Sequence, residues 1–364
     1  MKITAIDTML LRIPYRHSGP PTGFGGKVWT TLDTLLVRVD TDEGITGWGE
    51  AFGYNVNEGT KATIDTLIAP LCIGRDAAAI GALMADLQRK LHLFGRGGPV
   101  TYGLSGIDIA LWDIAGKRAG EPLHRLLGGA ARQKLRAYAS LLRYGDPKVT
   151  ARIAAEAVER GYRHVKLHEI EIAPVASARG ATGADTAIML DTNCPWSLGE
   201  ATAMAKALAP HDLFWLEEPI WPPEDFAALA ALRRVAPMPI AAGENAGSTL
   251  HFAQMFAAGA VSIAQPSVTK IGGVSELRKV LVLAEAANIT VAPHSPYFGP
   301  GLLATLHVAA AAPREMLVER LYVDLEAPLF GDLVTAPDGL MRLPEGPGLG
   351  CDPDPAVIER CRAA

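Results

Sequence analysis

Three acidic residues, Asp191, Glu217 and Glu244, each close a short apolar run: Ile-Met-Leu-Asp, Phe-Trp-Leu-Glu and Pro-Ile-Ala-Ala-Gly-Glu, at spacings of 26 and 27 residues. Apolar strands repeated at one strand-plus-helix period emerge from the same face of a barrel, so carboxylates at their C-terminal ends converge. Three hard oxygen donors at one point suit Mg2+, with Mn2+ as the alternative. Other strand ends offer further polar groups: Lys166-Leu167-His168, Asp191-Thr192-Asn193, Glu217-Glu218-Pro219, Gln265-Pro266-Ser267, Pro293-His294-Ser295 and Glu319-Arg320. Each alone reads as well as a helix cap or a surface group; together, at regular strand ends, they read as a site. Residues i and i+2 of a strand share a face, so Lys166 and His168 point the same way. Two adjacent basic groups depress one another's pKa, which would make one of them a usable base near neutral pH.

The elements that must position these groups follow from hydrophobic period. Residues 1 to about 50 alternate as strands, Lys2 to Pro14, Thr31 to Val39 and Ile45 to Glu50, with a hairpin turn at Asp40 to Gly44. Helical spacing runs from Thr60 to Leu93 and from Leu104 to Arg118. After Gly128-Gly129, eight strands are expected, at Leu135–Ala139, Tyr162–Leu167, Ala187–Asp191, Leu213–Glu217, Met238–Ala242, Val261–Gln265, Ile289–Ala292 and Met316–Glu319. Seven intervening segments make this a β/α barrel pattern. The Pro- and Gly-rich tail from Ala327 has no strong period, so it is expected to run back across the N-terminal unit. The Gly- and Pro-rich stretch Gly19–Gly26, carrying Phe24, reads either as a flap or as a plain surface loop.

The chain has 364 residues, 49% of them apolar and 20% charged, with 34 Lys and Arg against 39 Asp and Glu. No basic face is advertised, so no nucleic-acid partner is expected. The N-terminus has no apolar leader and no run approaches a membrane span, so a cytoplasmic location is expected. Cys72, Cys194, Cys351 and Cys361 are scattered without metal or disulfide spacing.

Taken as a set, the residues resemble the enolase superfamily, in its mandelate racemase and muconate lactonizing enzyme branch. The marks are Gly47-Trp48-Gly49-Glu50, the run Ser105 to Asp113, Trp215-Leu216-Glu217-Glu218-Pro219, Lys270-Ile271-Gly272-Gly273 and Gly346-Pro347-Gly348-Leu349-Gly350. The resemblance implies a modified (β/α)7β TIM-type barrel. Residues 1–128 would be an N-terminal α+β capping domain, 129–326 the barrel, and 327–364 a C-terminal segment completing the cap. It implies Mg2+ on Asp191, Glu217 and Glu244, catalytic roles for Lys166, His168, His294 and Glu319, and supporting places for Asn193, Glu218 and Ser267. Ser267 is the main departure, since the racemase branch has an Asp there to orient the strand-seven His and the lactonizing branch a Lys. A small carboxylate substrate and a homo-oligomer are implied as well.

The chemistry implied is removal of a proton α to a carboxylate. The resulting aci-anion needs strong charge stabilisation, which a divalent cation supplies as Lewis acid and template. Without a carboxylate partner His294 should lose basicity and orientation, which assigns the base to His168, assisted by Lys166, and the general acid to His294. That division favours dehydration of a sugar acid or related hydroxy acid to a 2-keto acid over racemisation or epimerisation. Against it, the candidate flap taken from Gly19 to Trp29 offers few charged groups to bind a polyol, only Lys27 within it and Arg16 and His17 beside it, which keeps an apolar 2-hydroxy acid and a racemase outcome as alternatives. A metal-dependent aldolase would leave the strand-two pair unexplained; a catalytically silent binding protein on the same fold is the remaining alternative.

Overall fold

Alternating apolar residues over the first fifty positions build an antiparallel sheet. β1 (Ile3–Arg16) pairs with β2 (Thr31–Thr41), and β2 with β3 (Thr46–Ala51) across a turn in which Gly44 takes the positive φ of 76° that the tight connection needs. The computed structural model describes residues 1–23 and 27–363. Phe24, Gly25 and Gly26 of the expected flap therefore lie outside the described residues.

The expected helical run Thr60–Leu93 is divided. A helical stretch from Asn57 ends at Cys72, Gly74 turns the chain at φ 77°, and a second helix spans Ile80–Leu91. The second expected helix lies inside a longer one, Pro99–Ala119, begun by Pro99 and stopped by Gly120 at φ 68°. That helix is buried on most sides, as an apolar stripe wider than one face requires.

Eight parallel strands follow: β4 (Lys134–Ser140), β5 (His164–Leu167), β6 (Ala187–Asp191), β7 (Leu213–Glu217), β8 (Ile240–Ala242), β9 (Ile263–Ala264), β10 (Thr290–Val291) and β11 (Val318–Leu321). Their order is β10-β9-β8-β7-β6-β5-β4-β11, with one α-helix between each consecutive pair along the chain. β6 and β7 have the expected bounds. β9 and β10 are shorter than expected, although backbone bonds run on beyond them, from Gln265 N to the Ala242 carbonyl and from Ala292 N to the Ala264 carbonyl, each at 3.0 Å.

Period-two alternation sorts the barrel lining into layers. Tyr138, Met189, Trp215, Ala241, Ile263 and Ala292 form a buried apolar floor. Two residues further along the same strands come Ser140, Asp191, Glu217, Gly243, Gln265 and His294, so the mouth is polar where the floor is not.

The tail visits both sheets. β12 (Asp324–Leu325) pairs with β1, β13 (Leu340–Arg342) runs antiparallel to the start of β4, and the helix Pro355–Cys361 leads to Ala363, whose N–H bonds the Leu10 carbonyl at 2.8 Å.

The helix Pro99–Ala119 joins cap, barrel and tail. Buried Asp113 accepts from Trp48 N at 2.9 Å, Leu349 N at 2.8 Å and Lys117 Nζ at 2.7 Å. Ser105 accepts from Gly272 N at 2.8 Å, and Asp108 from Ser275 N at 3.0 Å, which pins the turn entering the helix Gly273–Ala286. Two glycines allow β3 to come this close: a Cβ on Gly49 would lie 1.9 Å from the Gly106 carbonyl oxygen, and one on Gly47 2.2 Å from that of Ala110. On the barrel side, Glu50 accepts from Gly301 N at 2.8 Å; its carboxyl is pushed up to about 7 by burial, against that one hydrogen bond. Asp113→Ala strands two backbone N–H groups and should lower the unfolding free energy by about 3 kcal/mol in urea titrations, with Asp113→Asn costing less because an acceptor remains. An Ala variant as stable as wild type would show that Asp113 is not this tie.

Candidate active site

The three carboxylates converge as their spacing requires. Asp191 ends β6, Glu217 ends β7 and Glu244 lies two residues beyond β8; one oxygen from each lies within 4.8 Å of the others. Asp191 and Glu217 are fully buried, and Glu244 faces the mouth. The chain turns sharply behind them: Asn193, Cys194 and Glu218 hold positive φ angles of 55°, 57° and 44°, conformations that cost energy for residues with a Cβ and recur at functional sites.

Lys166 lies at the centre of the acidic cluster. Its Nζ is 2.8 Å from Glu217, 2.9 Å from Glu319 and 3.3 Å from Asp191. The expectation that Lys166 would be depressed by His168 is therefore reversed: burial pushes its pKa down, but Glu217, Glu319 and Asp191 outweigh that and hold it well above the usual lysine value. One ammonium shared among three acids leaves them unequal. Burial raises Asp191, yet Lys166 and His168 hold it well below the carboxylate range, whereas Glu217 is driven well above it by burial and by Asp191 and Glu319. Glu244 is also raised by burial but brought down to about 2 by His294 and Lys270. A cluster this short of positive charge, with three convergent oxygens, fits a divalent cation.

His168 and Lys166 do share a face, since His168 Nε2 lies 3.1 Å from the same Asp191 oxygen that Lys166 approaches. His168 Nδ1 faces the Leu141 carbonyl at 2.5 Å. A carbonyl only accepts, so Nδ1 carries the proton and Nε2 is the ring atom turned to the mouth. His294 comes from the opposite side, its Nε2 2.9 Å from Glu244. Its Nδ1 faces two hydroxyls, Ser267 Oγ at 3.3 Å and Tyr297 OH at 3.4 Å, which also contact each other. The expected loss of orientation at His294 is thus made good by Tyr297, a loop residue that no strand pattern announces.

Glu319 lies on β11, accepting from Ser140 Oγ at 2.7 Å and Ser295 N at 3.0 Å. Its carboxyl is raised by burial but more strongly lowered by Lys166 and His294. Asn193 supports the site in two ways: its N–H donates to Asp191 at 3.0 Å and its side chain accepts from Arg143 at 2.8 Å. Glu218 turns away from the triad to accept from Gly243 N at 2.9 Å and is pushed up to about 7, by burial first and then by Glu244. Trp215, two residues before Glu217 on the same face, donates Nε1–H to it at 2.8 Å; strand alternation could have pointed to it. Arg143 also ties the carbonyls of His168 (2.9 Å) and Thr192 (3.0 Å), a link between separate loops that leaves no local signature.

The cap closes over this mouth. Tyr54 OH donates to the Pro296 carbonyl at 3.0 Å, Lys270 Nζ stands 4.8 Å from the Phe52 ring centre, and Thr22 Oγ1 donates to the Arg143 carbonyl at 2.6 Å. Arg16 instead pairs with exposed Glu326 at 3.3 Å.

Comparison with known proteins agrees with this architecture. Residues 15–128 match the mandelate racemase / muconate lactonizing enzyme N-terminal domain, and residues 149–357 match the enolase C-terminal domain-like family. The D-galactonate dehydratase of Ralstonia pickettii is 35% identical over 360 residues, covering 91% of each protein. The D-galactarolactone cycloisomerase of Agrobacterium fabrum is 32% identical over 372 residues, covering 97% of this chain and 96% of that protein. Among solved structures, a racemase from Streptomyces coelicolor with bound magnesium superposes with a TM-score of 0.86 at 28% identity, over 99% of this chain and 100% of that one. On the matches of both halves, the full-length relatives and the carboxylate triad at the barrel mouth, the chain belongs to the enolase superfamily, in its mandelate racemase/muconate lactonizing enzyme subgroup.

Proposed function

We propose that this enzyme removes the proton α to the carboxylate of a sugar acid or related hydroxy acid and expels the β-hydroxyl as water, giving a 2-keto acid. The observation that carries this reading is the asymmetry of the two histidines across one carboxylate triad. Asp191, Glu217 and Glu244 would hold Mg2+, which when bound supplies a Lewis acid for the substrate carboxylate and the charge developing on it. His168, its Nδ1–H held by the Leu141 carbonyl, can serve as base through Nε2 once the Asp191 carboxylate that now faces that nitrogen at 3.1 Å is engaged by the metal. Lys166 adds positive charge beside the same carboxylates. His294 is held at Nδ1 by hydroxyls that can either donate or accept, so its Nε2–H can be delivered to a leaving hydroxyl without a fixed negative charge behind the ring. The C–H electrons become the new double bond, the C–O bond breaks, and the enol then tautomerises to the ketone.

The full-length similarity to a D-galactonate dehydratase supports a sugar acid as the substrate class. Racemisation needs a second competent base where His294 stands, and hydroxyl partners serve that role less well than a carboxylate. Four free cysteines, two of them buried, fit a reducing, cytoplasmic setting.

Three outcomes test the reading. At free Mg2+ about 100 times its dissociation constant, wild type should gain about 2.7 kcal/mol of stability, reversed by chelation and absent in Asp191→Asn; no metal-dependent shift in melting would remove the metal assignment. In D2O with Mg2+, His168→Ala should lose α-proton exchange by a factor of about 100 to 10,000, while His294→Ala keeps exchange but yields no keto acid. Exchange that survives in His168→Ala counts against that base. Ser267→Asp places a carboxylate behind His294, and the ratio of epimer to keto acid should rise about tenfold by NMR, one pKa unit of added basicity; an unchanged ratio would show that the hydroxyl pair does not set the outcome.

A further inference from the structure

Gln265 follows β9 and continues its ladder, with its N–H on the Ala242 carbonyl at 3.0 Å. The ladder on the other flank also continues, since His294 N bonds the Pro266 carbonyl at 3.1 Å. Extended backbone on both sides keeps the alternation, so Gln265 shares a face with Ile263, which lies in the barrel floor, and with Ser267, which meets His294. Gln265 thus belongs to the polar layer of the mouth, between the strands that carry Glu244 and His294.

Its side chain is fully buried, and neither amide atom has a hydrogen-bond partner among the described residues. A primary amide offers two donors and an acceptor oxygen, and burying all of them unmet is costly. Other buried polar groups in the same layer are met: Glu319 by Ser140 and Ser295, and Glu217 by Lys166 and Trp215. An apolar residue of the same length would fill this place at lower cost in a purely structural role.

We propose that Gln265 is a specificity-determining residue that recognises a substrate hydroxyl, its NH2 donating to the oxygen while its C=O accepts the hydroxyl proton. A group able to donate and accept at once suits a polyhydroxy acid better than an apolar carboxylate. This assignment rests on the sugar-acid reading above and narrows it to substrates with a hydroxyl on the flank between Glu244 and His294.

The test uses the full-length, Mg2+-loaded protein, Gln265→Met and a set of singly deoxygenated analogues of the best hydroxy-acid substrate. Gln265→Met should melt at or above the wild-type temperature, because no partner is lost, while kcat/KM for the parent substrate falls about 100-fold. For one deoxy analogue the two proteins should react equally, since without that hydroxyl neither can make the hydrogen bond. A fall in melting temperature of several degrees would reveal a structural partner and overturn the proposal. So would a rate ratio between the two proteins that is the same for the parent and every analogue. If wild type exchanges no α-proton with any hydroxy acid, the catalytic reading fails by itself; the same coupling must then appear in the acids' shifts of melting temperature, or the Gln265 assignment falls too.

Discussion

Crowding carboxylates into a buried mouth is the constraint on which the rest of this structure turns. Asp191, Glu217, Glu244 and Glu319 occupy one end of the barrel, and Lys166 is in ion-pair contact with three of them. Like charges in a low-dielectric site repel strongly, and only a frame that cannot spread keeps them together. The parallel ladder supplies that frame, because Asp191, Glu217 and Glu244 end or closely follow strands paired on both sides, and Glu319 lies within β11, which is paired to β4. Beneath them the floor of Tyr138, Met189, Trp215 and Ile263 excludes water, which strengthens every charge interaction above it. The raised Glu217 carboxyl expresses the charge deficit that a divalent cation would relieve.

The same chain buries carboxylates for a different purpose where the cap meets the barrel. Asp108 and Asp113 accept from backbone N–H groups of separate segments, with Lys117 against Asp113, and so act as ties rather than as reactive groups. What distinguishes the two uses is the partner. A carboxylate met by fixed backbone donors is held in place by them, whereas one that shares a single ammonium with its neighbours is ready for a cation. The glycines of the early Gly-Trp-Gly-Glu run serve the first use, since β3 approaches the helix Pro99–Ala119 more closely than any Cβ would permit.

The two histidines differ in what stands behind each ring. Both present Nε2 to a carboxylate of the triad, yet one has a carbonyl at Nδ1 and the other a pair of hydroxyls. The carbonyl dictates one tautomer; the hydroxyls accept either. The proposed base on one face and acid on the other rest on that contrast, in which Ser267 and Tyr297 are the residues behind His294.

Much of this was legible in the sequence because it depends on local period. Asp191, Glu217 and Glu244 could be placed from their spacing, since a strand and helix of nearly constant length return the chain to the same face each time, and Lys166 and His168 could be paired because alternation needs only adjacent residues. The seven-helix, eight-strand count had the same origin, although β9 and β10 are shorter than that period suggested and Gly74 divided an expected helix. The tertiary structure alone decided the partners: Tyr297 behind His294, Arg143 across three loops, β13 on β4, and the reversal at Lys166 from a mutually depressed base to an ammonium held by acids. Those outcomes depend on distances between groups far apart in the chain, and hydrogen bonds and buried charges change with a few ångströms that no spacing along the sequence records.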